Sequence, residues 1–179
     1  MLALFVAIAG QALAQPTGAP AEVPQAVAAS NRDSLWKPTD AQVSSVLAMS
    51  KQYFSARDSG KTDEAHGYFS PSQKAMVPLS VWRSSIEAFN GRAGTAGGRT
   101  VRKVTWYKDP PQARPGTYAA IDFSSEFSSL ALHCGYVMWH EQPDGSFAIT
   151  REEDNVIDRD VAGKLRPGQL EQIRSQFRC

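Results

Sequence analysis

The spacing of apolar residues changes once along this chain, near the glycine-rich stretch Gly94–Gly98, and that change limits the folds open to it. Before this stretch, apolar side chains recur every three or four residues, as on one face of an α-helix. After it, they alternate with polar residues, as in strands that have one buried face. Helices followed by a run of strands predict an α+β fold, with the helices packed on an antiparallel sheet.

The helical part carries its own start and stop signals. Thr39 and Gln42 have the spacing of a capping box, and Gly60 suits the left-handed position after a last helical turn. Ser70 and Pro71 form a second N-terminal signal. The sequence predicts helices from Thr39 to Gly60, over Thr62–Phe69, after Ser70, from about Ser80 to just before Gly91, and after Pro167-Gly168.

Four strands are predicted beyond the Gly94–Gly98 stretch, which itself reads as a flexible break. A Pro143-Asp144-Gly145 turn separates the last two, because proline presets φ and glycine takes the left-handed position. The expected architecture is a curved antiparallel meander of about four strands, with N-terminal helices on one face and a C-terminal helix. The predicted strands are Thr100–Tyr107, Tyr118–Phe127, Leu130–Glu141 and Phe147–Arg151, the last continuing toward Ile157.

The N-terminal segment predicts export. Residues 1–14 contain no charge and end in Ala-Leu-Ala, a small-x-small pattern typical of signal-peptidase sites, so cleavage is expected between Ala14 and Gln15. Residues 15–34 are rich in proline and alanine and read as a disordered tether. Residues 35–179 then form a single domain, and the protein is expected to be periplasmic or secreted.

The near-zero net charge limits the kinds of partner that the chain is expected to bind. Lysine and arginine total 19 against 18 aspartate and glutamate, a formal net charge of +1, whereas nucleic-acid binders carry a surplus of cations. No apolar run reaches the roughly 18–20 residues that span a bilayer. We therefore expect that the chain has no nucleic-acid partner, and that no transmembrane span remains once the signal peptide is removed.

Two cysteines, Cys134 and Cys179, are expected to pair in an oxidising compartment and to fasten the C-terminal helix to the sheet. The alternative is a buried free thiol at Cys134, which shares a predicted strand face with Leu132, Tyr136 and Met138. A catalytic thiol is not favoured, because no Cys-x-x-Cys motif is present and His133 points to the opposite strand face.

Metal and cofactor sites are not expected. A zinc site needs three or four converging ligands, but His133 and His140 lie seven residues apart on one predicted strand and project to opposite faces. His66 lies in the helical part. The spacing of glycines near Gly94–Gly98 superficially resembles a phosphate loop, but it follows a helix and precedes a strand, the reverse of the required order.

Asp122 and Tyr136 are the candidate catalytic residues. Asp122 shares a strand face with Glu126, and on a concave face it could act as a general base beside Tyr136 or Tyr118. The acidic run Glu152–Asp154 could supply a second carboxylate. The alternative is that these carboxylates form cross-strand ion pairs on a solvated face with Arg102, Lys103 or Arg151.

Four groups of turn and core residues form a pattern between Trp82 and about Ile157: Trp82-x3-Ile86-x2-Phe89, Gly97-Gly98-Arg99, Pro111-x3-Pro115-Gly116-x-Tyr118 and Asp144-Gly145. With these positions the stretch resembles the bacterial domain-of-unknown-function family numbered 4019. The resemblance implies a small exported protein without an assigned activity, and no catalytic residue, because the matching positions are turns and core. The sequence departs from the family after Leu130, where it reads His133-Cys134-Gly135-Tyr136.

The order of elements also resembles the cystatin and nuclear-transport-factor-like superfamily, in which a curved sheet wraps a long helix. Fold alone does not supply a function. The leading hypothesis is a non-enzymatic binding or protein-interaction module that contacts an envelope protein or a small apolar ligand. The alternatives are a small isomerase- or hydrolase-like enzyme with a polar group in the sheet cone, and a structural domain that forms a homodimer through its sheet.

Overall fold

The structure is a computed structural model that describes residues 22–28, 35–177 and 179. The predicted signal peptide and the Ala14/Gln15 cleavage site lie outside the described residues. The elements in chain order are β1 (Gln25–Val27), α1 (Asp40–Asp58), α2 (Thr62–Gly67), α3 (Pro71–Met76), α4 (Leu79–Ala93), β2 (Ala96–Lys108), β3 (Thr117–Phe127), β4 (Leu130–Glu141), β5 (Phe147–Asp158), α5 (Arg159–Ala162) and α6 (Gln169–Gln176).

The strands form one open sheet in the order β1-β2-β3-β4-β5. Strands β2 to β5 are the expected antiparallel meander, and each pairs with the next along the chain. The α+β fold is confirmed, but the sheet has five strands rather than four. It is also mixed, because β1 runs parallel to β2.

Strand β1 corrects the prediction of a disordered tether, which is wrong for Gln25–Val27. The Val104 amide donates to the Pro24 carbonyl at 2.9 Å, and the Ala28 amide donates to the Trp106 carbonyl at 2.8 Å. The Trp106 indole also donates to the Gln25 side chain at 2.7 Å. Composition could not reveal this strand, because backbone hydrogen bonds hold it rather than buried side chains.

Local signals place most helix starts correctly. Thr39 and Gln42 form both hydrogen bonds of the capping box, and the Ser70 hydroxyl accepts from the Gln73 amide at the start of α3. The expected end before Gly91 is wrong, since α4 continues to Ala93 and the left-handed residue is Gly94, with φ of 78°. The expected break is also shorter, because pairing with Phe127 extends β2 back to Ala96.

Aromatic side chains fill the space between the helices and the sheet. Tyr53 of α1 is fully buried and meets Trp139 of β4 edge to face, with ring centroids 6.4 Å apart. Phe54 packs against Phe123 of β3 at 4.9 Å. A packed aromatic core therefore lies on this side of the sheet, which we call the helix face.

The C-terminal helix packs on the opposite side of the sheet, which we call the open face. Leu170 and Ile173 pack around a small buried cluster that includes Leu132. Cys134 and Cys179 lie at disulfide distance, with Cα atoms 5.7 Å apart, so the two cysteines meet as the sequence predicts. Within the part of the chain that the structure describes, no helix has the length and apolar character needed to cross a bilayer.

We expect Cys179→Ser to lower the free energy of unfolding by about 4 kcal/mol, because the Cys134–Cys179 bond closes a loop with a sequence separation of 45. Urea denaturation without reductant measures the loss. As a control, the wild-type chain with dithiothreitol should show a similar loss. A wild-type stability that reductant leaves unchanged would contradict this prediction.

Candidate functional site

Strand β5 distributes its acidic residues between the two faces of the sheet. Side chains alternate along a strand, so Glu152 and Asp154 point to the helix face, while Glu153 lines the open face. The acidic run that the sequence analysis treats as one feature therefore serves two different sites.

On the helix face, Glu152 and Asp154 bind one arginine. Arg57 of α1 donates from Nη1 to Glu152 and from Nη2 to Asp154 at 2.7 Å. The Tyr53 hydroxyl, one helical turn earlier, donates to the second oxygen of Glu152 at 2.6 Å. The side chains of Arg57 and Glu152 are only 5% and 10% exposed. We call these residues, together with His133, the Arg57 cluster.

Burial and charge act together on the Arg57 cluster. Burial works to lower the pKa of Arg57, but Glu152, Tyr53 and Asp154 together outweigh it and raise that pKa. Burial, reinforced by the negative charge of Glu152, raises the pKa of the Tyr53 hydroxyl well above its ordinary value. Arg57 therefore stays cationic and Tyr53 stays a hydrogen-bond donor.

His133 completes the cluster from β4. Its Nε2 lies 3.2 Å from the Asp154 carboxylate. Its ring centroid lies 5.1 Å from that of Phe89 and 5.3 Å from that of Phe127. Burial lowers the pKa of His133, although the hydrogen bond to Asp154 opposes this. Burial works to raise the pKa of Asp154, but His133 and Arg57 hold it well below its ordinary value.

A second buried ion pair fixes the end of α1. Arg99 of β2 donates from two nitrogens to Asp58, each at 2.7 Å. Its guanidinium carbon also lies 4.7 Å from the ring centroid of Phe54 and 4.9 Å from that of Phe123, within the range of cation–π contacts. The two buried arginines thus join α1 to β2 and β5, and this is a positioning role in the fold.

The open face carries the second site, a groove of about 830 Å³ across β2, β3, β4 and β5. Its lining mixes tyrosine, charged groups and neutral hydrogen-bonding groups. We call it the open-face groove, and its lining includes Lys103, Thr105, Tyr107, Ala120, Asp122, Tyr136, Met138, Glu153, Asn155 and Phe177.

The candidate catalytic residues Asp122 and Tyr136 lie together in this groove. They are directly opposed on β3 and β4, and the same row continues to Lys103 on β2 and Glu153 on β5. The two end residues are exposed, and the two central ones are half-buried. Catalysis by Asp122 stays a prediction.

The two groove tyrosines have raised hydroxyl pKa values. Burial and the Asp122 charge raise the pKa of Tyr107, and burial also raises the pKa of Tyr136, with Arg151 opposing the shift. Both hydroxyls therefore keep their protons near neutral pH. Arg151 lies with its guanidinium carbon 5.9 Å from the Tyr136 ring centroid and pairs with Glu153, two residues along the same strand rather than across strands.

The C-terminal segment forms one wall of the groove. Gln176 and Phe177 line it, and Phe177 is 41% exposed. A second, smaller groove of about 490 Å³ lies farther along the same strands, lined by Leu132 and Arg174 among others. Along β4 the two linings meet at His133 and Cys134, so the cysteine pair lies where the grooves adjoin.

The histidines do not converge. His66 bonds the Val77 carbonyl at 2.8 Å, His133 lies on the helix face, and His140 stacks on Tyr118 with ring centroids 4.2 Å apart. Among the described residues no group of three or more His, Cys, Asp or Glu side chains is arranged to hold a metal ion.

Sequence reasoning missed the Arg57 cluster. A signal was present, since Tyr53 and Arg57 flank Phe54 on the apolar side of α1, and a cation there needs a buried partner. The matching acids alternate on β5, about 95 residues later, at Glu152 and Asp154. The arginine on α1 can be matched with the acids on β5 only when the packing of that helix against that strand is known.

We expect Arg57→Met to lower the free energy of unfolding by about 3–5 kcal/mol, because it leaves the Glu152 and Asp154 carboxylates without their cation. Urea denaturation followed by tryptophan fluorescence measures the change. Arg83→Met is the matched control, since the Arg83–Asp63 pair is exposed and should contribute little to stability. Equal losses of unfolding free energy in the two variants would contradict this prediction, because the buried ion pairs of Arg57 would then contribute no more stability than the exposed pair.

Stability should fall on acidification. The pKa values of His133 and Asp154 are both lowered in the folded chain. In the unfolded chain the histidine has a pKa of about 6.5 and the aspartate one of about 3.9. Below each of these values the unfolded chain therefore binds a proton that the folded chain does not. The free energy of unfolding should therefore decrease from pH 7.5 to 4.5. His133→Phe should reduce this slope in urea titrations. An unchanged slope in His133→Phe would assign the acid sensitivity elsewhere.

Comparison with known proteins identifies the family. No curated protein and no solved structure matches the chain significantly. A family model described as "Protein of unknown function (DUF4019)" matches residues 49–151, more than half of the chain. The match begins inside α1 and ends inside β5, so it includes Arg57, Asp122 and Tyr136. The chain therefore belongs to the DUF4019 family, as the sequence resemblance predicts.

Proposed function

We propose that this chain is an exported, non-enzymatic protein-interaction module that binds its partner through the open-face groove. The observation that carries the proposal is the groove itself. It places tyrosine, methionine and phenylalanine side chains beside exposed charges on a sheet face that the N-terminal helices leave uncovered.

The composition of the groove supports a protein partner. Tyrosine, phenylalanine and methionine are enriched at the centre of protein interfaces, and charged groups are typical of the rim. Tyr136 and Met138 lie on the inner strand β4, while Lys103 on β2 and Glu153 on β5 lie on either side of the inner strands. The groove thus combines side chains typical of an interface centre with charged groups, including Asp122 of β3.

The same geometry favours a protein over a small apolar ligand. Ligand pockets for small apolar molecules are concave, bury most of the ligand and are lined mainly by apolar side chains. The open-face groove spans four strands and carries charged and neutral hydrogen-bonding side chains, with Asp122 half-buried within it. On the helix face, the volume that a sheet cone could offer is filled by the aromatic core, including Trp106 and Trp139.

Export is supported by the first fourteen residues and by the cysteines. The N-terminal run has a signal-peptide pattern, and paired cysteines persist mainly in oxidising compartments. Cys134 and Cys179 lie at disulfide distance. In the exported protein, their bond would hold Phe177 at the wall of the groove.

The test is site-specific photocrosslinking in a secreting bacterial host. A photoreactive residue at Thr105 or Asn155, both in the groove, should give a discrete protein adduct in the periplasmic fraction. Tyr136→Ala in the same chain should reduce that adduct at least tenfold. Intact-mass measurement of the recovered protein should show a chain that starts at Gln15 and lacks the two thiol hydrogens.

A photoreactive residue at Ser85, on the exposed surface of α4, is the matched control and should give no such adduct. Adducts that form from Ser85 and not from the groove would reject this face as the interface. Recovery of an uncleaved, reduced chain from the cytoplasm would reject export.

A further inference from the structure

We infer that the open-face groove binds a second copy of this chain, in a dimer whose two-fold axis runs parallel to the strands between β3 and β4. This inference rests on the proposed function and names the partner. In such a dimer the same surface contacts itself, so β2 faces β5 of the other copy and β3 faces β4. The strands of the two sheets then run in nearly the same direction, which is a common way for sheets to pack.

The register of the sheet makes one row of side chains self-complementary under this symmetry. The row reads Lys103, Asp122, Tyr136 and Glu153 from β2 to β5. The axis reverses the row in the second copy, so Lys103 faces Glu153 and Asp122 faces Tyr136. Each Lys103 ammonium meets a Glu153 carboxylate, which also pairs with Arg151 of its own chain, and each Asp122 carboxylate meets a Tyr136 hydroxyl.

The neighbouring row matches in size. It reads Thr105, Ala120, Met138 and Arg151 from β2 to β5. Reversal places the small Ala120 against the long Met138 of the second copy, and Thr105 against Arg151. Long side chains of one copy thus enter the space above short side chains of the other, as interdigitation of two sheet faces requires.

The C-terminal helix leaves these two rows uncovered. Leu170 and Ile173 cover the sheet around Leu132, which lies on β4 beyond the Cys134 position. The rows of Tyr136 and Met138 lie on the other side of Cys134, within the groove. Phe177 lies at the border and would be buried against the second copy.

The test is sedimentation equilibrium on the full chain, purified without reductant, over a concentration series. The wild-type chain should form a dimer. Lys103→Glu and Glu153→Lys should each weaken it at least tenfold, because each places like charges opposite one another. The double variant K103E/E153K exchanges the charges, so its dissociation constant should return to within about threefold of the wild-type value.

Lys51→Glu and Glu87→Lys carry the same charge changes on exposed positions of α1 and α4 and serve as matched controls. Both should form the wild-type dimer. Circular dichroism checks that each variant keeps its fold, and higher salt should weaken the wild-type dimer, since exposed charges are screened.

The outcomes separate this inference from the proposed function. A monomer at every concentration, or a dimer that neither reversal weakens, overturns the inference, and so does a double variant without rescue. If photocrosslinking from Thr105 still captures a different protein, the proposed function stands with another partner. If the groove gives neither a dimer nor an adduct, both fail.

Discussion

The buried Arg57 guanidinium sets the position of the helical layer on the sheet. It binds Glu152 and Asp154, which alternate on β5, while Tyr53 joins from one turn earlier on α1. Removing a partner from a buried charge costs several kcal/mol. Helix α1 therefore cannot rotate or slide by one turn without losing these bonds, and the aromatic core around Tyr53 depends on the same placement.

This constraint leaves the two faces of the sheet with different roles. The helix face uses its polar groups internally, since Arg57 and Arg99 each bind acids of the same chain. On the open face, Lys103 of β2 and Glu153 of β5 are exposed, and Glu153 pairs with Arg151 beside it. Alternation along the strands produces this division, because neighbours such as Glu152 and Glu153 necessarily point to opposite sides.

The candidate site could be predicted in part. Strand alternation put Asp122 and Tyr136 on predicted strands, and the structure places them as direct neighbours in the groove. The contribution of Lys103 and Glu153 required the register of β2 and β5, which bulges shift. A bulge moves a strand by one residue and exchanges its faces, and its position depends on pairing across the sheet.

By itself the sequence determined the features that depend on near neighbours. The capping box at Thr39, the start of α3 at Ser70 and the alternation of β4 are local, because backbone hydrogen bonds and side-chain periods within a few residues fix them. Only the tertiary structure decided that Gln25–Val27 extends the sheet and that Arg57 binds acids about 95 residues away. The physical reason is that a parallel edge strand and a buried ion pair are stabilised by partners distant in sequence, and no local pattern specifies which partners meet.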